Sequence, residues 1–302
     1  MRSALALVFI VAAPVLAGEV ARAQPLIAPP APLATPDRQP GGLPLASPWL
    51  TTGWDDGLAE VADYDLQQFR YGNLHPGSAT LIAVREGMDP ERRVKSAGGA
   101  AIVPVLKLHW VRSFQTGVYR YDQSSFQLVR QADGLPLRWF ITSHEWCGAA
   151  SKSWVNGGPL RVSSYFDGHG DLVQPLDLGT DALPVDSLWW WARAWVATGM
   201  PPVQLRVVPS QIEARAVDTS PMQAVISGAA QSARDPQKPV EVAAITVIVR
   251  RGKLEDRLTV LAQAPHTLLG WVQADGSVLT LKQVRRFAYW AQHNPQDRPA
   301  KP

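Results

Sequence analysis

Cysteine is all but missing from this 302-residue chain, where Cys147 is the only one. No intramolecular disulfide can form, so stability has to come from a buried core. A surplus of one charge is missing as well. Lysine and arginine number 29 against 26 acids, a balance too even to argue for nucleic acid as a partner despite the basic pI. Beyond the N-terminal stretch no apolar run is long enough to cross a bilayer, so no transmembrane segment is expected. There is no G-x-S-x-G, P-loop, Rossmann, H-E-x-x-H or C-x-x-C motif. No cofactor is expected on that account, although the lack of short motifs does not exclude an enzyme.

What is present begins at the N-terminus. Met1-Arg2-Ser3 leads into an apolar stretch that ends at Ala17, and Ala21-Arg22-Ala23 stands before Gln24. One positive charge, a short apolar run and a small-x-small site form the pattern of a secretory signal peptide. Residues 1–23 are thus expected to be cleaved off near Ala23, which places the mature protein in the periplasm or outside the cell. Residues 24–48 hold eight prolines. Proline withholds backbone donors and favours extended chain, so residues 24–48 read as a disordered linker. Residues 49–294 are expected to form a single β domain, and the polar tail 295–302 to fray.

Within 49–294 the prevailing apolar period is two. Tyr64, Leu66, Gln68 and Arg70 alternate with Asp65, Gln67, Phe69 and Tyr71, as on a strand with two dressed faces. A turn is expected at 73–77 and a returning strand at 79–86. Further strands are expected at 103–111, 117–121, 125–130, 137–146, 160–166, 203–208, 211–217, 240–250, 254–261, 268–272 and 277–281. The fold class is therefore mainly β: a large curved antiparallel sheet or half-barrel of about ten or more strands. One helix interrupts it, Leu188-Trp189-Trp190-Trp191-Ala192-Arg193-Ala194-Trp195. At about 100° per residue, Leu188, Trp191, Ala192 and Trp195 share the face that would pack on the sheet. Trp190 falls opposite, beside Arg193, either stacked on the guanidinium or open to a ligand. Residues 282–292 fit a strand or a helix, with a strand through Leu281 and a short C-terminal helix preferred.

Few residues suggest chemistry. In Ser143-His144-Glu145-Trp146-Cys147-Gly148 a lone thiol stands near a carboxylate and an imidazole. A nucleophile built from Cys147 or Glu145 with His109 or His169 is one reading. Strand alternation points His144 away from both, and free cysteine is usually packed, so a structural thiol is the competing expectation. Asp167, His169 and Asp171 sit on a glycine-rich turn as candidate metal ligands, but tight turns select aspartate and glycine anyway, and no metal is expected. Trp190, Trp146, Tyr71 and His75 are the candidates for ligand contact.

The strings Tyr71-Gly72-Asn73-Leu74-His75-Pro76-Gly77, Leu106-Lys107-Leu108, Phe114-Gln115-Thr116-Gly117-Val118-Tyr119, Glu145-Trp146-Cys147-Gly148 and Ser164-Tyr165-Phe166-Asp167-Gly168 carry a resemblance. Over roughly Asp63 to Ala197, with Tyr289-Trp290 as an echo, the chain resembles a family of uncharacterised exported bacterial proteins sometimes labelled septum formation inhibitor Maf-like. That resemblance implies export and supplies no catalytic residues. In architecture the layout is similar to periplasmic half-barrels of the LolA/LolB type, which hold acyl chains in an apolar concavity. A binding or carrier protein for an apolar small molecule or lipid is the function expected. An envelope hydrolase using Cys147 or Glu145 with a histidine is one alternative. The other is a scaffold that pairs with an envelope protein through an open sheet edge.

Overall fold

The structure, a computed structural model, describes residues 47–96, 102–166, 168, 170–178, 181–238 and 240–297. The expected signal peptide, all but the last two residues of the linker, and residues 298–302 lie outside these. A helical turn, α1 (Pro48–Thr51), is followed by strands β1 (Ala59–Arg70), β2 (Asn73–Met88), β3 (Val103–Thr116), β4 (Tyr119–Arg130), β5 (Pro136–Glu145), β6 (Gly148–Val155), β7 (Leu160–Ser164) and β8 (Leu172–Gln174). After β9 (Ala182–Pro184) a 3₁₀ turn, Val185–Ser187, runs into the helix α2 (Leu188–Ala197). Then come β10 (Leu205–Val208), β11 (Met222–Arg234), β12 (Glu241–Arg251), β13 (Leu254–Leu261), β14 (Leu268–Val272) and β15 (Val278–Phe287).

All fifteen strands belong to one sheet, in the order β8-β7-β6-β5-β4-β3-β2-β1-β15-β14-β13-β12-β11-β10-β9. Every pairing is antiparallel except β9 with β10. Laid flat at about 4.8 Å per strand, such a sheet would be roughly 65–70 Å wide. Its two edge strands, β8 and β9, are nevertheless joined by residues 175–181 alone, a tether of at most about 27 Å. The sheet has to curl until its edges approach one another, and the result is barrel-like with a seam.

Alternation decides what fills the curl. The residues that face inward on β1 are Glu60, Ala62, Tyr64, Leu66 and Gln68, all buried, while Asp65, Gln67 and Phe69 are exposed. The sequence alternation therefore marks the correct faces. Ten of the twelve tryptophans are buried, and α2 lies inside the curl. Leu188 through Val196 are buried without exception, as expected of a helix enclosed on every side.

This corrects the expectation for Trp190. It is 1% exposed, and its Nε1 donates to Gln127 Oε1 on β4 at 3.0 Å, so it is closed to any ligand. Ser187 Oγ donates to the same Gln127 oxygen at 2.7 Å. Arg193 also turns inward. It meets Glu60 of β1 at 2.5 and 3.0 Å, donates to the carbonyls of Pro265 and His266, and lies over the ring of Trp49 rather than Trp190. The expectation assumed a helix on the outside of a sheet with one wet face; α2 has none. The chain just before it enters the fold joins in, since Ser47 is buried and its Oγ donates to Ala194 O at 2.7 Å. Ser47, within the expected linker, is thus packed against the helix.

Several boundaries shift for local reasons. The turn expected at 73–77 lies instead at Tyr71-Gly72, both with positive φ (51° and 78°), the backbone that a two-residue hairpin turn requires. Pro76 belongs to β2, at a stretch bonded to β1 alone because pairing with β3 starts at Gly77. An unpaired margin is where a strand tolerates proline. Strands expected at 117–121 and 125–130 are one strand, β4. The strand expected at 211–217 is irregular chain, and β6 and β11 are additional. Residues 282–292 resolve into strand as far as Phe287 and a 3₁₀ turn, Tyr289–Ala291. Among the described residues no helix is long and apolar enough to cross a membrane.

Candidate functional site

Up-and-down order puts alternate hairpin turns at the same end of the curl. One end collects Tyr71-Gly72, Gly117-Val118, Trp146-Cys147, the chain after Ser164, Gly252-Lys253 and the turn before Val278. The chain between β10 and β11 reaches this end too and crosses the opening as a strap. No strand pairs with residues 209–218; inward polar side chains hold their backbone instead. Lys152 Nζ of β6 donates to the carbonyls of Gln211 and Arg215 at 2.8 and 2.7 Å. Gln123 Nε2 of β4 donates to Ile212 O at 3.2 Å, and Ser164 Oγ of β7 to Ala214 O at 3.0 Å. Asp186, just before α2, accepts from Ser210 Oγ and from the Gln211 amide.

All of these anchors but half-buried Ser164 are buried, and burial sets the acidity of Lys152 and Asp186. It pushes the Lys152 ammonium down to about 8, against the pull of Asp186 and Glu213. It raises the Asp186 carboxyl, opposed by the two hydrogen bonds from the strap. Burial disfavours whichever form is charged, so a base falls and an acid rises.

Between the strap and the hairpin tips lies a cavity of about 440 Å³, lined by Arg70, Tyr71, Tyr119, Tyr121, Glu145, Cys147, Phe166 and the strap residues Glu213, Ala214 and Arg215. Its aromatic wall is ordered. The hydroxyls of Tyr71 and Tyr121 are 2.7 Å apart, and that of Tyr119 is 3.4 Å from Tyr71. Phe114 stacks on Tyr121 with centroids 4.8 Å apart. Gly77 permits this: a Cβ there would stand 2.7 Å from Phe114 Cβ and 2.3 Å from Ser113 O. The Arg70 guanidinium lies 4.9 Å from the Tyr71 ring centre and 5.3 Å from that of Tyr121, and it binds Glu213 at 2.6 Å. Hydrogen bonds from Tyr119 and Tyr121 hold the Tyr71 phenol below its ordinary value, whereas burial raises Tyr121. Arg215 is exposed at the cavity with no ion pair among the described residues.

Of the residues singled out in the sequence, Tyr71, Glu145 and Cys147 meet at this cavity. Trp146 stands beside it, 76% exposed on the hairpin tip. His75 is half-buried on β2, its Nε2 donating to the Arg70 carbonyl at 3.0 Å, and does not line the cavity. Cys147 is exposed, which overturns the expectation of a packed thiol: residues 146 and 147 form the whole turn between Glu145 and Gly148. Glu145 Oε2 accepts the Cys147 amide at 2.7 Å, and this carboxylate holds the thiol above its ordinary pKa, away from thiolate. His144 is exposed on the opposite face from Ser143, as alternation requires.

His109 cannot serve Cys147. It alternates with the inward Leu108 and Trp110, stacks edge-on to Phe126 at 5.8 Å, and burial depresses it to about 4. Asp167 and His169 lie outside the described residues; Asp171 is exposed at a shallow hollow with Ser151, Ser153 and Arg161. Among the described residues no group of three metal-ligating side chains comes together. The sequence reading missed Arg70, Tyr119, Tyr121 and the strap. An inward arginine at the end of a strand and two tyrosines at spacing two were the signals available.

No family model matches the chain, and neither does any curated protein. One solved structure is similar: the crystal structure of a beta-barrel-like protein of domain of unknown function DUF1849 from Brucella abortus. It covers 76% of this chain and 98% of its own, with 10% identity and a TM-score of 0.42.

Proposed function

We propose that the chain is an exported binding protein that takes an amphipathic small molecule in the tyrosine-walled cavity at the rim. The expected carrier geometry was a hollow concave sheet. Here α2 and the strap occupy that space, so the reading moves from the interior to the mouth. One observation carries it: a cavity of about 440 Å³ whose wall joins three phenols and Phe166 to the guanidiniums of Arg70 and Arg215. Aromatic faces suit an apolar body, and an exposed guanidinium suits a polar or anionic head. Export is supported by the N-terminal pattern of residues 1–23, and by the resemblance to exported bacterial proteins and periplasmic half-barrels.

The test uses the purified mature chain and the fluorescent probe N-phenyl-1-naphthylamine, with mass spectrometry of organic extracts to identify a natural occupant. Saturable binding is expected, and Tyr71→Ala should weaken it about tenfold, some 1.4 kcal/mol, with unfolding unchanged. No saturable binding, or binding indifferent to Tyr71→Ala, would remove the reading. Export is checked by cell fractionation; retention of the full-length precursor in the cytoplasm defeats that part.

A second reading, the envelope scaffold, has its own observation. Strand β10 covers only Met222–Ala224 of β11. From Val225 to Arg234 that strand pairs with β12 on one side, and no described strand pairs with the other. Such an edge can accept a further strand from another protein. Crosslinking in cells from a photoreactive residue at Ser227 tests it, and capture of no protein partner would count against it.

A further inference from the structure

The strap has a second cavity on its other side, about 220 Å³, between β3 and the hairpin ends of β12, β13 and β14. We propose that this cavity binds a small carboxylate with an apolar body. Two buried donors in its wall meet no acceptor. Arg251 Nη1 and Trp110 Nε1 are buried without an acceptor, on side chains only 4% and 1% exposed that line the space. Arg112, 3% exposed, gives its Nε to Gln123 at 2.7 Å, but its paired carboxylate, Glu213, is 3.6 Å away and is held closer by Arg70. Asp256 stands beside them: its Oδ1 accepts Trp271 Nε1, while its Oδ2 is ion-paired with Arg251 Nη2 at 2.7 Å but takes no hydrogen bond, and so leaves Arg251 Nη1 unmet.

Buried donors without acceptors, and a guanidinium with a shared partner, are costly unless something completes them. A carboxylate presents two oxygens to the planar fork of an arginine and can also accept from an indole. The lining also presents the apolar side chains of Val185, Ile212, Met222 and Leu254, together with the carboxylates of Glu213, Asp256 and Asp275. An anionic head and an apolar body match the unmet donors and the apolar side chains, whereas trapped water would meet the donors and leave the apolar side chains without a partner.

Sodium benzoate is the probe, titrated against thermal unfolding and by calorimetry on the mature chain, with benzyl alcohol and benzylamine as neutral and cationic comparators. Benzoate should raise the midpoint saturably and the other two should not. Trp110→Phe deletes one orphaned donor and keeps the shape, so it should weaken benzoate about fivefold with unliganded stability intact. Leu254→Trp should fill the cavity and abolish binding; if it fails to fold, Trp110→Phe still decides. Tyr71→Ala, at the rim cavity, should leave benzoate affinity unchanged, which separates this site from the function proposed above. No saturable response, equal responses to all three compounds, or benzoate binding indifferent to Trp110→Phe would overturn the proposal.

Discussion

Gln127 Oε1 accepts both Trp190 Nε1 and Ser187 Oγ inside the curl, so one amide oxygen fastens the start of α2 to β4. Gln127→Leu removes that acceptor and leaves two buried donors without partners. The expected cost is about 2–4 kcal/mol, from unsatisfied polar groups at roughly 1–3 kcal/mol each, read by urea denaturation. A loss below about 0.5 kcal/mol would mean that these bonds contribute nothing net. At this scale the sequence was least legible. It shows that Trp190 falls opposite the face of Leu188, Trp191, Ala192 and Trp195 on a helical wheel, but not that a glutamine sixty-three residues earlier faces it. Cys147 was misjudged for a related reason: whether it sits inside a strand or in the turn after it depends on where pairing with β6 begins, and β6 has no strong apolar rhythm to announce itself.

Among the elements, α2 and the strap carry the sharpest consequences. Arg193 and Glu60 form an ion pair that is nearly fully buried, with side chains 2% and 4% exposed. Arg193→Met leaves a carboxylate stranded beside α2, and a loss of about 3–5 kcal/mol is expected. Adding Glu60→Gln should recover part of it; double-mutant unfolding curves that simply add would contradict the pairing.

Lys152 fastens the strap and has a pH signature. Its ammonium is depressed to about 8 in the fold, against an ordinary value of 10.5. Between these limits the unfolded chain holds a proton that the folded one has released, so this group adds stability as pH rises through that window and withdraws it as pH falls through about 8. Unfolding midpoints of the wild type should therefore gain on those of Lys152→Met between pH 8 and 10.5. A constant difference would show that the amine is not desolvated.

The strap also marks the limit of pattern reading. Residues 211–217 look like a strand because Ile212, Ala214 and Val217 are apolar, but their backbone bonds go to side chains. β11 escaped notice because it is exposed on both faces along most of its length and has no period to detect. Strands with a firm alternation are legible: β12 and β13 lie within one residue of expectation, whereas β1 starts and β3 ends five residues beyond it.

For the molecule as a whole, the sheet has two flanks that meet where the first strand lies beside the last, Ala59 opposite Phe287. Tyr64 Oη of β1 donates to Leu268 O of β14 at 2.8 Å, across that junction. Removing residues 278–302 should therefore cost more than one strand. The shortened chain is expected to lose cooperative unfolding and to become open to protease throughout. A truncated form that keeps one sharp transition would show that the flank from β1 to β8 stands alone. Strand-rich class, antiparallel pairing and a single interrupting helix could all be read in the residue pattern. That the helix goes inside could not, because burial on every side is a property of the closed curl rather than of any one segment.

That junction also has a consequence in time. Asp63 and Gln283, which bond across it, are 220 residues apart. During synthesis the first strand emerges early and must wait, one flank bare, until β15 follows it. Over that interval the nascent molecule is exposed to mispairing and aggregation, and a companion that shields the long edge of β1 would act in that window alone.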